Sequence, residues 1–186
     1  KKDTMSHNKK ILVTGAAGFI GSHLTNALLD RGERVICLDN FDSFYDPALK
    51  RANIAQAVKN DRFTLIEGDI RDRSVIDGIF KDHAVHTVVH LAARAGVRPS
   101  IQSPELYYDV NVRGTLTILE AMKQAGVRRM VFASSSSVYG NNPKVPFSET
   151  DAVDNPISPY AATKKACELL CFNYHHLYQF DIFCLR

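Results

Sequence analysis

The sequence predicts an α/β fold in which a doubly wound parallel sheet is flanked by helices on both faces. From Lys10 onward, short apolar runs alternate with longer segments of helical period, the pattern of repeated strand–helix–strand units. The first apolar run leads directly into a glycine-rich turn and a helix. The chain has 186 residues, of which 45% are apolar, so it is long enough for one well-packed domain.

Six apolar runs are predicted to be strands, because each is short and bounded by turn-forming or charged residues. In chain order they cover residues 10–15, 34–40, 63–70, 86–93, 128–135 and 180–186. The segments between them predict helices over residues 19–32, 47–59, 73–82, 104–126 and 158–170. In the first helix, Ile20, Leu24, Ala27 and Leu28 share one face, and Gly32 marks its end.

The first nine residues have no periodicity. We expect residues 1–9 to be disordered or to include residues added before a natural start at Met5. Residues 10–186 are predicted to form the folded domain.

The composition argues against several classes of protein. The formal net charge of +3 comes from 23 basic and 20 acidic residues without a basic cluster, so no nucleic-acid partner is expected. No apolar run approaches the roughly 18 residues of a membrane span, and a soluble, cytoplasmic protein without a membrane partner is expected.

The cysteine pattern predicts no metal site. Cys37, Cys167, Cys171 and Cys184 lack CxxC spacing, and Cys37 and Cys184 lie in apolar runs that predict buried strands. We expect four reduced core thiols.

The stretch VTGAAGFIGSHL predicts a Rossmann-type phosphate-binding turn. Gly15, Gly18 and Gly21 follow a strand and open a helix, where they permit a sharp turn, close approach of a pyrophosphate and close helix packing. Phe19 and Ile20 lie in the same turn. The spacing is GxxGxxG rather than GxGxxG. No Gly-Lys-Ser/Thr follows, which excludes the Walker-type loop that binds nucleoside triphosphates. The alternative is a glycine-rich turn without a ligand.

Acidic and small residues at the strand ends fit the same cofactor. Asp39, followed by Asn40, ends the second strand where a carboxylate meets the adenosine ribose diol. A carboxylate there repels a 2′-phosphate, which favours NAD over NADP, and Arg34 lies too early in the strand to reverse this preference. Asp39 as a plain turn residue or helix cap is the alternative. Further predicted contacts are Asp69 and Ile70 at the end of the third strand, where Asp69 can accept a bond from the adenine amino group, and Leu91, Ala92 and Ala93 at the end of the fourth.

These motifs, together with SSSSVYG and YAATK, occur in an order and spacing that resemble the extended short-chain dehydrogenase/reductase superfamily, in particular its NAD-dependent nucleotide-sugar epimerases and dehydratases. The resemblance covers nearly all of residues 10–186. It implies that the YxxxK pair of that family falls on Tyr160 and Lys164. An i, i+4 pair shares one helical face, and because a phenol has a pKa near 10, the lysine cation is needed to favour the phenolate base.

The resemblance implies further site residues. Ser135 corresponds to the catalytic hydroxyl that binds the reacting sugar hydroxyl, Ser136 and Ser137 are candidate sugar contacts, and Asn111 corresponds to an asparagine that approaches the cofactor. The dehydratases carry an Asp-Glu pair after the hydroxyl residue. Ser136 and Ser137 occupy those positions here, so elimination of water lacks its acid and reversible oxidation at C4 is favoured.

The surrounding stretches HLAARAGVRPSIQSP and SSSSVYGNNPKVPFSETDAVDNPISPYAATKKA look most like UDP-glucuronate 4-epimerases. Arg98 is a candidate for the substrate's pyrophosphate or carboxylate, or a solvated surface arginine. UDP-glucose and UDP-N-acetylglucosamine 4-epimerases, or a non-catalytic NAD-binding protein of the same fold, remain alternatives.

The resemblance also implies features of the whole protein. It implies a C-terminal substrate domain that these 186 residues lack, so we expect weak activity from them alone. It further implies a homodimer through the helices that contain Tyr108 and Tyr160.

Overall fold

A parallel sheet forms the centre of the structure, a computed structural model that describes residues 9–186. The expectation for residues 1–8 lies outside the described residues. The strands are β1 (Lys10–Thr14), β2 (Arg34–Asp39), β3 (Phe63–Glu67), β4 (Val85–His90), β5 (Arg129–Ala133) and β6 (Asp181–Leu185). Their order across the sheet is β3-β2-β1-β4-β5-β6, and every neighbouring pair is parallel. The predicted doubly wound sheet is confirmed.

Seven α-helices lie within residues 9–186: α1 (Phe19–Asp30), α2 (Pro47–Asn53), α3 (Arg73–Asp82), α4 (Val97–Gln102), α5 (Pro104–Tyr107), α6 (Gly114–Ala125) and α7 (Pro159–Tyr178). A π-helical segment, Tyr108–Arg113, joins α5 to α6, and two 3-10 turns cover Ala57–Lys59 and Ser136–Tyr139.

Alternate residues along the strands bury two separate cores, which explains why helices cover both faces of the sheet. On one face, Val13 and Cys37 pack with Leu29 of α1. On the other, Leu12 and Leu38 pack in the larger cluster, whose helical members come from α3, α6 and α7.

The predicted inner face of α1 is wrong at Ile20 and Ala27, which are both exposed. Ile20 is exposed, whereas Gly21, Thr25 and Leu29 are buried. The first turn of α1 lies beyond the ends of the strands, so Ile20 lines the cavity described below and does not pack in the core.

The predicted helix over residues 47–59 is interrupted. Asp46 caps α2 by accepting a hydrogen bond from the Ala48 N–H at 2.9 Å, and Pro47 occupies the first turn as expected. The helix ends at Asn53 because Ile54 turns inward and packs with Phe41.

The segment between β4 and β5 also differs in detail from its prediction. Residues 104–125 are helical as expected, but they include the π-helical segment around Asn111. The short helix α4 was not predicted. Its six residues are too few to show a helical period, and Pro99 lies among them.

Cys184 corrects the prediction of four core thiols. The four cysteines are free, and Cys37, Cys167 and Cys171 are buried, but Cys184 is exposed. The reason is that β6 forms an edge of the sheet, with one neighbouring strand, β5.

Among residues 9–186, no helix is both long and apolar enough to span a bilayer.

Candidate active site

A cavity of about 650 Å³ opens at the carboxyl ends of the strands. The strand order reverses between β1 and β4, and the crevice at such a reversal is where open α/β sheets bind ligands. The cavity is lined by all the predicted cofactor residues except Asn111, namely Gly15, Gly18, Phe19, Ile20, Gly21, Asp39, Asn40, Asp69, Ile70, Leu91, Ala92, Ala93, Tyr160 and Lys164.

The glycine loop between β1 and α1 has no room for side chains. Gly15 has a φ of +69°, and a Cβ there would lie 2.8 Å from the Ala92 nitrogen. A Cβ on Gly21 would lie 2.2 Å from the Gly15 oxygen. The first turn of α1 has neither a side-chain cap nor an acidic residue, so its free N–H groups and positive dipole end face the cavity. The loop thus offers close backbone approach and free N–H donors, the features that can bind a pyrophosphate.

Asp39 at the end of β2 is a buried carboxylate with several donors. Its Oδ2 accepts from the Ala17 N–H at 3.1 Å, and its Oδ1 accepts from the Phe41 N–H at 2.9 Å. The Lys50 ammonium also donates to Oδ1, at 3.0 Å. The donors hold the carboxylate in one orientation at the cavity wall.

Asp69, by contrast, has no open acceptor position. Its two oxygens accept from the Arg71 guanidinium and backbone N–H at 2.8–2.9 Å and from Asn40 Nδ2 at 3.0 Å. The hydrogen bonds from Arg71 lower the pKa of Asp69 to about 2. The predicted bond from an adenine amino group would therefore have to compete with Asn40.

The loop after β4 is fastened to the helical segment behind it. The Asn111 side chain accepts from the Arg94 N–H at 2.7 Å and donates to the Arg94 carbonyl at 3.1 Å. Asn111 Nδ2 also donates to Thr163 Oγ1 at 3.0 Å, and Tyr107 donates to the Ala95 carbonyl at 2.6 Å. Asn111 thus lies behind the cavity wall and holds it against α7, and its predicted approach to the cofactor stays a prediction.

The Arg94 side chain lines the cavity from this fixed loop. Its guanidinium donates to Asp42 Oδ1 at 2.9 Å and lies 5.0 Å from the centre of the Phe44 ring. The segments after β2 and β4 are therefore linked over the glycine loop that lies between them.

His90, fully buried at the end of β4, links Thr14 of β1 to Thr115 of α6. Thr14 Oγ1 is 2.6 Å from its Nδ1, and Thr115 Oγ1 is 3.1 Å from its Nε2. Thr115 donates its own proton to the Asn111 carbonyl, so the His90 Nε2–H donates to Thr115 and Nδ1 accepts from Thr14. Burial, with Lys164 nearby, lowers the pKa of His90 to about 3.

Tyr160 and Lys164 lie one turn apart on α7 and both line the cavity. Ser158 caps the helix by accepting from the Ala161 N–H at 3.1 Å. Lys164 is 4% exposed, and its ammonium donates to the Ala133 carbonyl at 2.8 Å. Burial lowers the pKa of Lys164 to about 8, so at neutral pH the buried group is still mostly a cation.

The serine cluster follows β5. Ser135 caps the 3-10 turn that contains Ser136 and Ser137, and its Oγ accepts from the Ser137 N–H at 3.2 Å. These three serines do not line the cavity, but the adjacent Ser134 does, and it donates to Glu168 at 2.5 Å. Arg98, on α4, is exposed and outside the cavity lining.

Sequence reasoning missed four charged or polar residues of the site: Lys50, Arg71, Arg94 and His90. Arg71 could most easily have been predicted from the sequence, because it lies two residues after Asp69. The others pair with residues in distant segments, and their sequence positions alone do not indicate those partners.

Comparisons with known proteins agree with this geometry. The family model described as GDP-mannose 4,6 dehydratase matches residues 12–186. A UDP-glucuronate 4-epimerase of Thermodesulfobacterium geofontis is 47% identical over 176 residues, which cover 94% of this chain and 54% of that protein. UDP-glucuronate 4-epimerase 3 of Arabidopsis thaliana is 48% identical, with 95% of this chain and 41% of that protein covered.

Solved structures are similar over the same range. The UDP-glucuronic acid 4-epimerase of Bacillus cereus, in complex with UDP-glucuronic acid and NAD, superposes with a TM-score of 0.88 at 39% identity, covering 95% of this chain and 55% of that one. A UDP-glucose 4-epimerase of Thermus thermophilus in complex with NAD has a TM-score of 0.84 at 37% identity, covering 95% and 54%. The chain spans about half the length of the relatives it matches.

Proposed function

Since this chain belongs to the family described as GDP-mannose 4,6 dehydratase, we propose that it is the NAD-binding part of a nucleotide-sugar 4-epimerase that converts UDP-glucuronate to UDP-galacturonate. The observation that carries the proposal is the meeting of Tyr160 and Lys164 with the glycine loop and Asp39 in one cavity. Relatives named UDP-glucuronate 4-epimerase support the choice of substrate.

The cavity residues fit a dinucleotide. The glycine loop and the uncapped start of α1 suit a pyrophosphate, and Asp39 suits a ribose diol. NAD held by these residues would supply the acceptor for the hydride from the sugar C4 and the donor that returns it.

In this proposal the chain's own residues handle the proton. The Tyr160 phenolate removes the proton of the sugar 4-hydroxyl while Ser135 donates a hydrogen bond to that oxygen. The Lys164 cation stabilises the phenolate, and its bond to the Ala133 carbonyl fixes its position. The 4-keto sugar then presents its other face, and Tyr160 returns the proton.

Epimerisation is favoured over dehydration although the family description names a dehydratase. Ser136 and Ser137 follow Ser135 where an eliminating enzyme needs acids, and a serine hydroxyl cannot serve as a general acid near neutral pH. In the Ser135–Ser137 turn, the polar side chains are therefore suited to hydrogen bonding with a sugar.

The full-length protein that contains these residues provides the test. It is incubated with UDP-glucuronate, UDP-glucose or UDP-N-acetylglucosamine, and the products are followed by NMR. We expect UDP-galacturonate, and a loss of about 10²-fold or more in Tyr160→Phe, because general base catalysis contributes that much. Tyr45→Phe, another cavity tyrosine, is the matched control. Full activity in Tyr160→Phe, or a 4,6-dehydrated product, would contradict the proposal.

We also propose a domain organisation for the activity. The relatives are about twice as long as this chain, which supports a second, substrate-binding domain in the active enzyme. Residues 10–186 are accordingly proposed to bind NAD and to turn over nucleotide sugar poorly by themselves.

A homodimer is proposed through the helices containing Tyr108 and Tyr160. Supporting it, Leu169 and Phe172 of α7 are 57% and 68% exposed, and Tyr108 and Leu116 are exposed on the neighbouring helical segment. A cytoplasmic location is proposed as well, in keeping with free thiols at all four cysteines of the described chain.

A further inference from the structure

Lys50 is a cavity cation that belongs to neither the glycine loop nor the catalytic helix. It lies on α2, its side chain is 12% exposed, and its ammonium is 3.0 Å from Asp39 Oδ1. We propose that Lys50 determines specificity at the 2′ position of the adenosine ribose. Paired with Asp39 it donates to a ribose diol, and released from that pair it binds a 2′-phosphate more strongly. This inference rests on the proposed NAD binding.

The open hydrogen-bonding positions of this pair match a diol. A carboxylate has about four acceptor positions, and the two backbone N–H groups and Lys50 fill three of those on Asp39. An ammonium has three donors, and within residues 9–186 Lys50 directs one of them to Asp39. One ribose hydroxyl can therefore donate to Asp39 while its neighbour accepts from Lys50.

Lys50 differs from the other cations at this end of the cavity in its ion-pair partners. Arg71 bonds to both Asp69 and Asp109, and Arg94 bonds to Asp42. Within residues 9–186, the ion pair of Lys50 is with Asp39 alone. Removal of the Asp39 charge would thus leave an ammonium without an ion-pair partner beside the ribose position.

The balance of charge explains how Asp39 and Lys50 together set the response to a 2′-phosphate. A 2′-phosphate brings about two negative charges, which Asp39 repels and Lys50 attracts at similar distances. Asp39 also keeps the ammonium turned toward itself, so a phosphate would have to compete for it. Asp39 is therefore the source of the preference for the unphosphorylated ribose, and Lys50 sets how strongly a 2′-phosphate is rejected.

The test uses ligands that carry only the adenosine end of the cofactor. ADP-ribose and 2′-phospho-ADP-ribose are titrated by calorimetry into the wild type, Asp39→Asn, Lys50→Met and the double variant. We expect the wild type to prefer ADP-ribose. Asp39→Asn is expected to shift the ratio of the two dissociation constants at least about tenfold toward the phosphorylated ligand, since a charge-assisted bond to phosphate is gained. The double variant is expected to lose this shift.

An equal shift in Asp39→Asn with and without Lys50 would overturn the role of Lys50. A wild type that binds neither ligand would instead overturn the proposed function on which the inference rests.

Asp39→Asn puts an amide N–H₂ against a backbone N–H, so its folding is checked by circular dichroism. A second comparison leaves Asp39 intact. Lys50→Arg is expected to keep measurable binding of the phosphorylated ligand, whereas Lys50→Met weakens it at least about fivefold more than it weakens ADP-ribose binding. Equal weakening of both ligands in Lys50→Met would contradict the proposal.

Discussion

Replacing His90 by leucine is expected to change how the stability of the protein depends on pH. His90 is neutral and fully buried, and it joins Thr14 to Thr115 by hydrogen bonds. Leucine has a similar volume but cannot accept the Thr14 hydroxyl proton, whereas Thr115 still donates to the Asn111 carbonyl. One buried donor loses its acceptor, which costs about 2 kcal/mol at neutral pH.

The pH dependence follows from the depressed pKa of His90. Its ordinary value is 6.5 and burial lowers it to about 3, so between these values the unfolded chain binds a proton that the folded chain does not. The stability that His90 contributes is complete above pH 6.5 and falls as the pH falls, by about 1.4 kcal/mol per pH unit. From pH 6.5 to about pH 5 the wild type therefore loses about 2 kcal/mol through this residue.

Urea denaturation at several pH values between about 7 and 5 measures the effect. The leucine variant is expected to be about 2 kcal/mol less stable than the wild type near pH 7 and about equally stable near pH 5. Val88→Ala, on the same strand and also buried, is the control, because it loses stability by leaving a cavity and should keep the wild-type pH dependence. A stability difference between wild type and His90→Leu that stays constant over this range would refute the reasoning.

Two further predictions concern the glycine loop and the exposed face of α7. Gly21→Ala is expected to abolish NAD binding measured by calorimetry, because its Cβ would lie 2.2 Å from the Gly15 oxygen, whereas Gly78→Ala on α3, with nothing within 4 Å, should bind as the wild type does. If the proposed dimer forms, Phe172→Asp is expected to convert it to a monomer in analytical ultracentrifugation, since a charge on an apolar interface is costly. Asn173→Asp, also exposed on α7, is the control. A Phe172→Asp variant that stays dimeric would contradict the proposed interface.

Much of the cavity could be predicted because its residues belong to short local patterns. The glycine loop, Asp39 and the Tyr160–Lys164 pair each follow a strand or share a helical turn, and parallel strands bring their carboxyl ends to one edge. The prediction for Asn111 went less far. Its side chain lies behind the cavity wall and holds Arg94 and Thr163, and no local pattern indicates these partners.

The exposure of Cys184 could not be predicted from neighbouring residues, for a different reason. Its apolar neighbours predict a buried strand, and they would be buried if β6 had strands or helices on every side. Whether an apolar strand is central or at an edge depends on the order of strands, and the order is a property of the whole sheet.

The sequence by itself determined the strand and helix alternation, the glycine turn and the helical face shared by Tyr160 and Lys164, because these depend on residues within a few positions of one another. The tertiary structure decided the partners of the buried polar groups. Lys50 meets Asp39 across 11 positions, Arg94 meets Asp42 across 52 and His90 meets Thr14 across 76. A buried polar group must find a partner, but only the folded chain determines which distant donor or acceptor lies within reach.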